Sequence, residues 1–309
     1  VSAPGEGRVA AFALLALASL FWAGNWVLGR ALRDAIEPVA LNFCRWLIAV
    51  IVLAPFALPG LRAQWPAIRG RIGFLALLAF TGVALFQSLV YLGLRTTSAV
   101  NAVLLNSSAP LFMMLCAWFI EGERARGRQV AGILVSLAGI LVIMARGEWA
   151  SLQRLEVHGG DLLILLAMPV WGVYSVLLKR RPAELGGVSF LFVISVIGAA
   201  MLAPAAAVEA LRAPPRWPSG AVAAGLLYVG LAASVGAFIC WNRGVAVVGA
   251  NAAGITLHLL PAFGTSLAIL FLGESFQAFH AVGIATILAG VVIATRAGPG
   301  EGSGVSFKA

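Results

Sequence analysis

Trp22, Asn25, Trp26 and Gly29 stand at i, i+3, i+4 and i+7, the spacing that places four residues on one face of a helix. Such a stripe offers indole faces, which stack on rings and attract cations, beside an amide that both donates and accepts hydrogen bonds. Trp171, Tyr174 and Ser175 repeat its first three positions 149 residues later. Asn101 and Ser108 are seven residues apart, as are Asn251 and His258, the two pairs related by an offset of 150. Seven residues return nearly to the same helical face, and Asn106 and Ser107 add polarity to the same turn. Gln87, Tyr91 and Arg95 form one more stripe at i, i+4 and i+8. These groups hold solutes rather than break bonds. H-E-x-x-H and G-x-S-x-G motifs are absent, and Cys44, Cys116 and Cys240 are isolated from one another and from histidines. An enzyme is therefore not expected, nor a cofactor or a metal site.

The stripes lie in a chain that is 61% hydrophobic and only 11% charged, against roughly a quarter charged for soluble domains. A hydrocarbon core about 30 Å thick needs roughly 20 apolar residues. Runs of that length are predicted at residues 10–29, 39–58, 71–94, 98–120 and 127–146, then at 159–179, 187–208, 219–242, 247–272 and 277–296. The first run contains Trp22, Asn25 and Trp26 and is followed by many further spans, so it is taken as a transmembrane helix rather than a signal peptide. The expected fold is an all-α polytopic membrane protein with ten transmembrane helices, and residues 298–309 read as a flexible tail. The net charge of +9 sits in short clusters between apolar runs, which marks topology and not a nucleic-acid partner. One set of alternate loops and termini, among them Arg62, Arg69, Arg124, Arg128, Lys179 and Arg180, carries thirteen basic residues and the other set seven. Both termini are accordingly expected in the cytoplasm, by default beneath a bacterial inner membrane, with the chain acting as a monomer in the bilayer.

Pro110, Gly122, Glu123, Gly132 and Gly139 recur as Pro261, Gly273, Glu274, Gly283 and Gly290, every pair 151 residues apart. Trp22 and Arg30 match Trp171 and Lys179 at 149, and Gly82 matches Gly230 at 148. The shared order and offset predict a duplication, residues 1–148 and 149–297. Five helices per half is an odd number, so the second half enters the membrane from the opposite side. Two inverted five-helix repeats suit alternating access. The segment WAGNWVLGR (Trp22 to Arg30), Arg45, and Pro110 and Pro261 thirteen residues before the glutamates of IEGE and FLGE resemble EamA-type members of the drug/metabolite transporter superfamily. That resemblance covers nearly the whole chain. It implies ten helices in two repeats and, within the family, points toward exporters of aromatic amino acids and related metabolites.

Each candidate residue has a plainer alternative. Trp and Tyr most often form belts at the membrane interface, yet Trp22 and Trp171 lie deeper than the last turn, which favours a cavity lined by both halves. For Asn101 and Asn251, near helix ends, interhelical hydrogen bonding is the favoured role, whereas Ser108 and His258 could equally bond across helices or face a cavity. Pro110 and Pro261 free backbone carbonyls one turn earlier, available to a substrate or to a kink. Gln87, Tyr91 and Arg95 could line an exit path. Ser234, Phe238, Trp241 and Asn242 read as anchors at the lipid interface. Arg45 must snorkel or pair, since a charge at membrane depth costs about 2.5–3.5 kcal/mol; a structural or gating role is assigned to it above a substrate contact. Asp34, Glu37, Glu121, Glu123, Asp161 and Glu274 all fall at loops or helix ends. Without a carboxylate in the membrane, a proton-coupled exporter of organic cations lacks the group that would exchange proton for drug, leaving His258 as the one candidate for coupling. The expected substrate-binding set is Trp22, Asn25, Trp26, Gln87, Tyr91, Asn106, Ser108, Trp171, Tyr174, Ser175 and His258, serving neutral or zwitterionic amino acids moved down their own gradient.

Overall fold

The computed structural model describes residues 4–32, 35–97, 99–145, 157–213, 219–272 and 277–295, and their regular structure is entirely helical. The first half contributes α1 (Pro4–Ala31), α2 (Pro38–Gly70), α3 (Ile72–Thr96), α4 (Ala99–Asn106, then Ala109–Glu121) and α5 (Gly127–Met144). The second contributes α6 (Gly159–Leu177), α7 (Gly187–Arg212), α8 (Gly220–Val248), α9 (Ala250–Gly254, a 3-10 turn Ile255–His258, then Leu259–Leu272) and α10 (Ala278–Thr295). Among the described residues nine of these are long and apolar enough to cross a membrane, all but the broken α9. Gly273 and Glu274 of the sequence repeat, and the tail at 298–309, lie outside the described residues. Large apolar side chains point outward, Phe56 at 74% and Phe119 at 76% exposure. A surface of that kind needs lipid as its solvent.

The sequence places the end of α2 at residue 58, whereas the helix runs on to Gly70 through Pro55, Pro59 and Pro66. Its 33 residues span about 50 Å at 1.5 Å each, well beyond a hydrocarbon core of about 30 Å. Each proline forfeits a helical hydrogen bond, and the overhang tolerates this because most of it is exposed and its carbonyls can turn to water. Arg62 and Arg69, expected in a loop, stand on this overhang. At its other end α2 is capped by Glu209 of α7, whose carboxylate accepts from the backbone N–H groups of Val39 (3.3 Å) and Ala40 (2.8 Å). An anion at a helix N-terminus satisfies orphan donors and complements the dipole.

The helices pack in a self-consistent set of pairs. α1 packs on α8 and α9, α6 packs on α3 and α4, α2 packs on α7, and α5 packs on α10. Exchanging every helix for the one five places along leaves those pairs unchanged. The irregular turns obey the same rule. π-helical segments occupy Phe80–Leu85 in α3 and Val229–Gly236 in α8, and the break in α4 at Ser107 and Ser108 matches the 3-10 turn of α9. Ile164 lies over Gly93 as Leu15 lies over Gly244.

A close backbone contact runs along the seam between α5 and α10, which are antiparallel. A Cβ on Gly132 would meet the Gly290 carbonyl oxygen at 2.5 Å, and one on Gly139 would meet that of Gly283 at 2.7 Å. Ser136 donates across the same seam to the Ile287 carbonyl at 3.1 Å. Small residues let backbones approach where lipid supplies no hydrophobic drive between helices. Gly139→Leu should lower the thermal midpoint of the detergent-solubilised protein by on the order of 5 °C or more, because overpacking costs ~1–3 kcal/mol. Gly73→Leu, whose Cβ meets open space, should shift it little; equal shifts would contradict this account.

Candidate functional site

Helices α1, α3, α4, α6, α8 and α9 enclose a cavity lined by Trp22, Asn25, Trp26, Phe86, Gln87, Asn106, Ala109, Trp171, Phe238, Leu257 and Leu260. Its wall is aromatic because the face of α1 bearing Trp22 meets the corresponding face of α6. The rings of Trp22 and Trp171 touch edge to face at 5.2 Å. Trp171 also packs on Phe86 (4.8 Å), Tyr174 (5.2 Å), Trp241 (5.4 Å) and Phe238 (5.7 Å). Each such pair contributes ~0.5–1.5 kcal/mol beyond area burial. The space left is about 30 Å³, room for a few waters and too little for an amino acid. Admission of an organic solute therefore requires rings to swing or helices to part.

The polar side chains behind this wall answer a backbone problem. π-helical turns leave carbonyls without their usual helical partners, and in hydrocarbon no water can replace them. Asn42 on α2 donates to the carbonyls of Val83 (3.1 Å) and Ala84 (3.2 Å) in the π segment of α3. Trp22 Nε1 (3.0 Å) and Arg45 Nη2 (3.1 Å) both donate to the Ala233 carbonyl in the π segment of α8. Arg45 does not snorkel, one of the two options its sequence position left open. It is fully buried, and it donates further through Nε to Ser234 Oγ (2.7 Å) and through Nη1 to the Tyr91 hydroxyl (3.1 Å). Its distance from the membrane surface is set by packing among α2, α3 and α8, which its position in α2 alone does not reveal.

Tyr91 in turn donates to Asn25 Oδ1 at 2.8 Å, and Tyr174 donates to Asn242 Oδ1 at 2.9 Å. Asn25 and Tyr174 are 149 residues apart, and Tyr91 and Asn242 are 151 apart. The two bonds are thus the same inter-helix tie in each half, with the tyrosine and asparagine exchanged between helices. They differ in charge, since only the first is joined to Arg45.

Of the residues singled out by spacing, Trp22, Asn25, Trp26, Gln87, Asn106 and Trp171 line the cavity. Tyr91 and Tyr174 stand behind it in the two ties. Ser175 is buried with its hydroxyl unpartnered, and Ser108 bonds back to the Leu105 carbonyl at 2.6 Å. His258 is buried off the wall, its Nε2 2.9 Å from the Ser107 carbonyl oxygen and its Nδ1 without a partner, which fits a neutral ring bridging the breaks of α4 and α9. Pro110 and Pro261 each fall in the first turn of the helix that resumes after a break, where the missing N–H costs least. Asn101 bonds across helices to Asp161 at 2.8 Å, whereas Asn251 is buried with neither amide atom partnered, so interhelical bonding does not describe it. Arg95 does not extend the Gln87 stripe into a path, because it pairs with Glu37 at the surface.

Ser234, Phe238, Trp241 and Asn242 are not lipid anchors. All four are at least nine-tenths buried, and Phe238 lines the cavity. They stand at i, i+4, i+7 and i+8, one helical face, and that face meets α1, α2 and α6 rather than lipid: Phe238 packs on Trp22, Trp46 and Trp171, and Ser234 accepts from Arg45. Phe86, Leu257 and Leu260 were likewise invisible as site residues, since an apolar wall and an apolar core have the same composition.

Comparison with known proteins follows this geometry. Residues 9–145 and 158–296 each match the EamA-like transporter family. A solved crystal structure shares the fold, with a TM-score of 0.70 over 94% of this chain and 97% of that one at 23% identity. The aromatic amino acid exporter YddG of Ancylobacter novellus is 26% identical over 287 residues, covering 90% of this chain and 94% of its own. A probable terminal-alkyne amino-acid exporter of Streptantibioticus cattleyicolor is 29% identical over 284 residues, covering 91% and 92%. An uncharacterized transporter of Archaeoglobus fulgidus is 27% identical over 282 residues, covering 91% and 96%. The chain belongs to the EamA-like transporter family and is an integral membrane protein.

The two ties make unequal demands. Tyr91→Phe removes a bond to a cation as well as one to an amide, and Tyr174→Phe removes one neutral bond. The expected losses are roughly 2–3 and roughly 1 kcal/mol, so the thermal midpoint should fall about twice as far for Tyr91→Phe. A larger fall for Tyr174→Phe would show that Arg45 does not lean on Tyr91.

Proposed function

We propose that this member of the EamA-like transporter family exports neutral amino acids, aromatic ones among them, and related small metabolites by alternating access down the solute gradient. The observation that carries this reading is the cavity held between Trp22 and Trp171, equivalent residues of the two halves, with amides on its wall and no carboxylate among its lining residues. Rings stack on the indoles while Asn25, Gln87 and Asn106 offer donors and acceptors to a zwitterionic head. The exporter names of the relatives point the same way.

The architecture proposed with it is ten spans in two inverted repeats, residues 1–148 and 149–297, α9 counting as a broken span. The exchange of helix neighbours and the antiparallel seam of α5 on α10 support that arrangement. Breaks and π turns at matching positions give both halves the same capacity to rearrange, as alternating access requires. The chain is proposed to work as a monomer with both termini cytoplasmic, in a bacterial inner membrane. A proton-coupled exporter of organic cations is the rival, and it wants a buried carboxylate at the cavity. Asp161, the acid buried at the start of α6, is instead engaged by Thr97, by Asn101 and by the His158 backbone N–H.

Counterflow of labelled phenylalanine and tryptophan in proteoliposomes, without an imposed ion gradient, tests the reading. Wild type should exchange both, and Trp22→Ala and Trp171→Ala, if correctly folded, should each lose about tenfold or more, the scale of one lost ring contact of ~1.4 kcal/mol. Flux that appears only on adding a proton gradient would move attention to coupled antiport through His258. Flux of neither amino acid under either condition would defeat the substrate class.

A further inference from the structure

Arg45 is a full positive charge in the middle of the fold, and among the described residues it has no negative partner. Its three hydrogen bonds go to a serine hydroxyl, a tyrosine hydroxyl and a backbone carbonyl, all neutral. A guanidinium carries five N–H donors and stays protonated in proteins, so two donors are left over. Other cations of the chain have carboxylates at the surface, Arg95 with Glu37 and Lys179 with Glu121 and Glu123.

One of the hydrogen bonds leaving Arg45 leads to the cavity wall, while the other two end on α8. Arg45 Nη1 donates to the Tyr91 oxygen, and the Tyr91 hydroxyl donates to Asn25 Oδ1. Asn25, whose acceptor is thereby occupied, is left to present its Nδ2 donors at the cavity wall. Donors in such a chain polarise one another, so the positive end is carried forward to the solute. In the second half the equivalent tie also leaves a donor over: Asn242 Nδ2 is buried without an acceptor, as are the indole N–H of Trp171, which lines the cavity, and that of Trp241 against it. Buried donors without acceptors thus stand around the cavity, and the amides of Asn25, Gln87 and Asn106 on its wall add further N–H groups, which a carboxylate would answer.

We propose that Arg45 determines the charge class of the solute: through Tyr91 and Asn25 it selects molecules that bear a carboxylate, whether zwitterion or anion, and it turns away organic cations that the indole faces alone would attract. Arg45 can act in this way only if the aromatic cavity is the transport site, the function proposed above. Two hydrogen bonds of 3.1 and 2.8 Å separate the guanidinium from Asn25. A carboxylate bonded to Asn25 would therefore stand about 8–9 Å away, where unit charges at an effective dielectric of ~20 interact strongly enough to change binding by roughly 20- to 30-fold. Repulsion of an ammonium-only solute should be of similar size.

The test is competition against labelled phenylalanine counterflow by three solutes with one ring: unlabelled phenylalanine, 3-phenylpropionate with the carboxylate alone, and phenethylamine with the ammonium alone. Wild type should be inhibited by 3-phenylpropionate within about tenfold of phenylalanine and by phenethylamine at least 20-fold more weakly. Arg45→Gln should bring the phenethylamine-to-phenylalanine ratio toward one, while Arg45→Lys, which keeps the charge, should retain most of the discrimination. A loss of stability alone would weaken all three solutes together and leave their ratio unmoved. Should Arg45→Gln not fold, the wild-type ladder decides by itself: phenethylamine competing as well as phenylalanine overturns the role of Arg45 while leaving the amino-acid cavity standing. Absence of phenylalanine flux in wild type defeats the cavity reading first, and this one with it.

Discussion

Every backbone carbonyl that leaves the helical pattern inside a membrane must find a donor from another part of the protein, because lipid offers none. This chain leaves that pattern in α3 and α8, through the π segments, and the donors that answer are the buried side chains of Asn42, Arg45 and Trp22. Arg45 thereby joins α2 to α8 and, through Tyr91, to α3 and α1. A charged side chain is costly to bury, and three hydrogen bonds in a dry interior are what make the position tenable. The same bonds fix the depth at which Trp22 meets the cavity, so the aromatic wall and the backbone irregularity share one origin.

Near-symmetry explains how so few residue types serve both structure and site. Corresponding elements of the two halves meet across the centre: Trp22 touches its equivalent Trp171, Gly132 and Gly139 face the other pair of glycines in exchanged order, Gly290 and Gly283, and His258 bonds to the carbonyl of Ser107, 151 residues away. Where the halves depart from each other, the departure is chemical. The tie between tyrosine and asparagine is charged in the first half and neutral in the second, and Asn101 has an acidic partner where Asn251 has none. Such inequalities make the two halves chemically distinct despite their similar packing.

The small volume of the cavity follows from the way its wall is built. Ring contacts centred on Trp171 are individually weak, ~0.5–1.5 kcal/mol each. The seam between α5 and α10 has backbones in contact and a hydrogen bond across it. The aromatic centre is thus held by many weak ring contacts, and the seam by backbone packing.

What the sequence determined by itself is whatever depends on short windows. Hydropathy over about 20 residues located the helices, because burial in hydrocarbon is a property of each segment alone. The offset of 151 residues located the duplication, and the i, i+3, i+4 spacing put Trp22, Asn25 and Trp26 on the face that reaches the cavity. What only the tertiary structure decided depends on which helices meet and at what depth. Arg45 looked close enough to an end of α2 to reach the surface, and its neighbours buried it. Phe238 and Trp241 looked like interface residues, and packing against Trp22, Trp46 and Trp171 of three other helices buried them. The length of α2 escaped because prolines normally end helices, a local rule that an exposed overhang can evade. The Tyr91 and Tyr174 ties were hidden for the same reason: each joins residues more than 65 positions apart, and nothing in either helix alone specifies its partner.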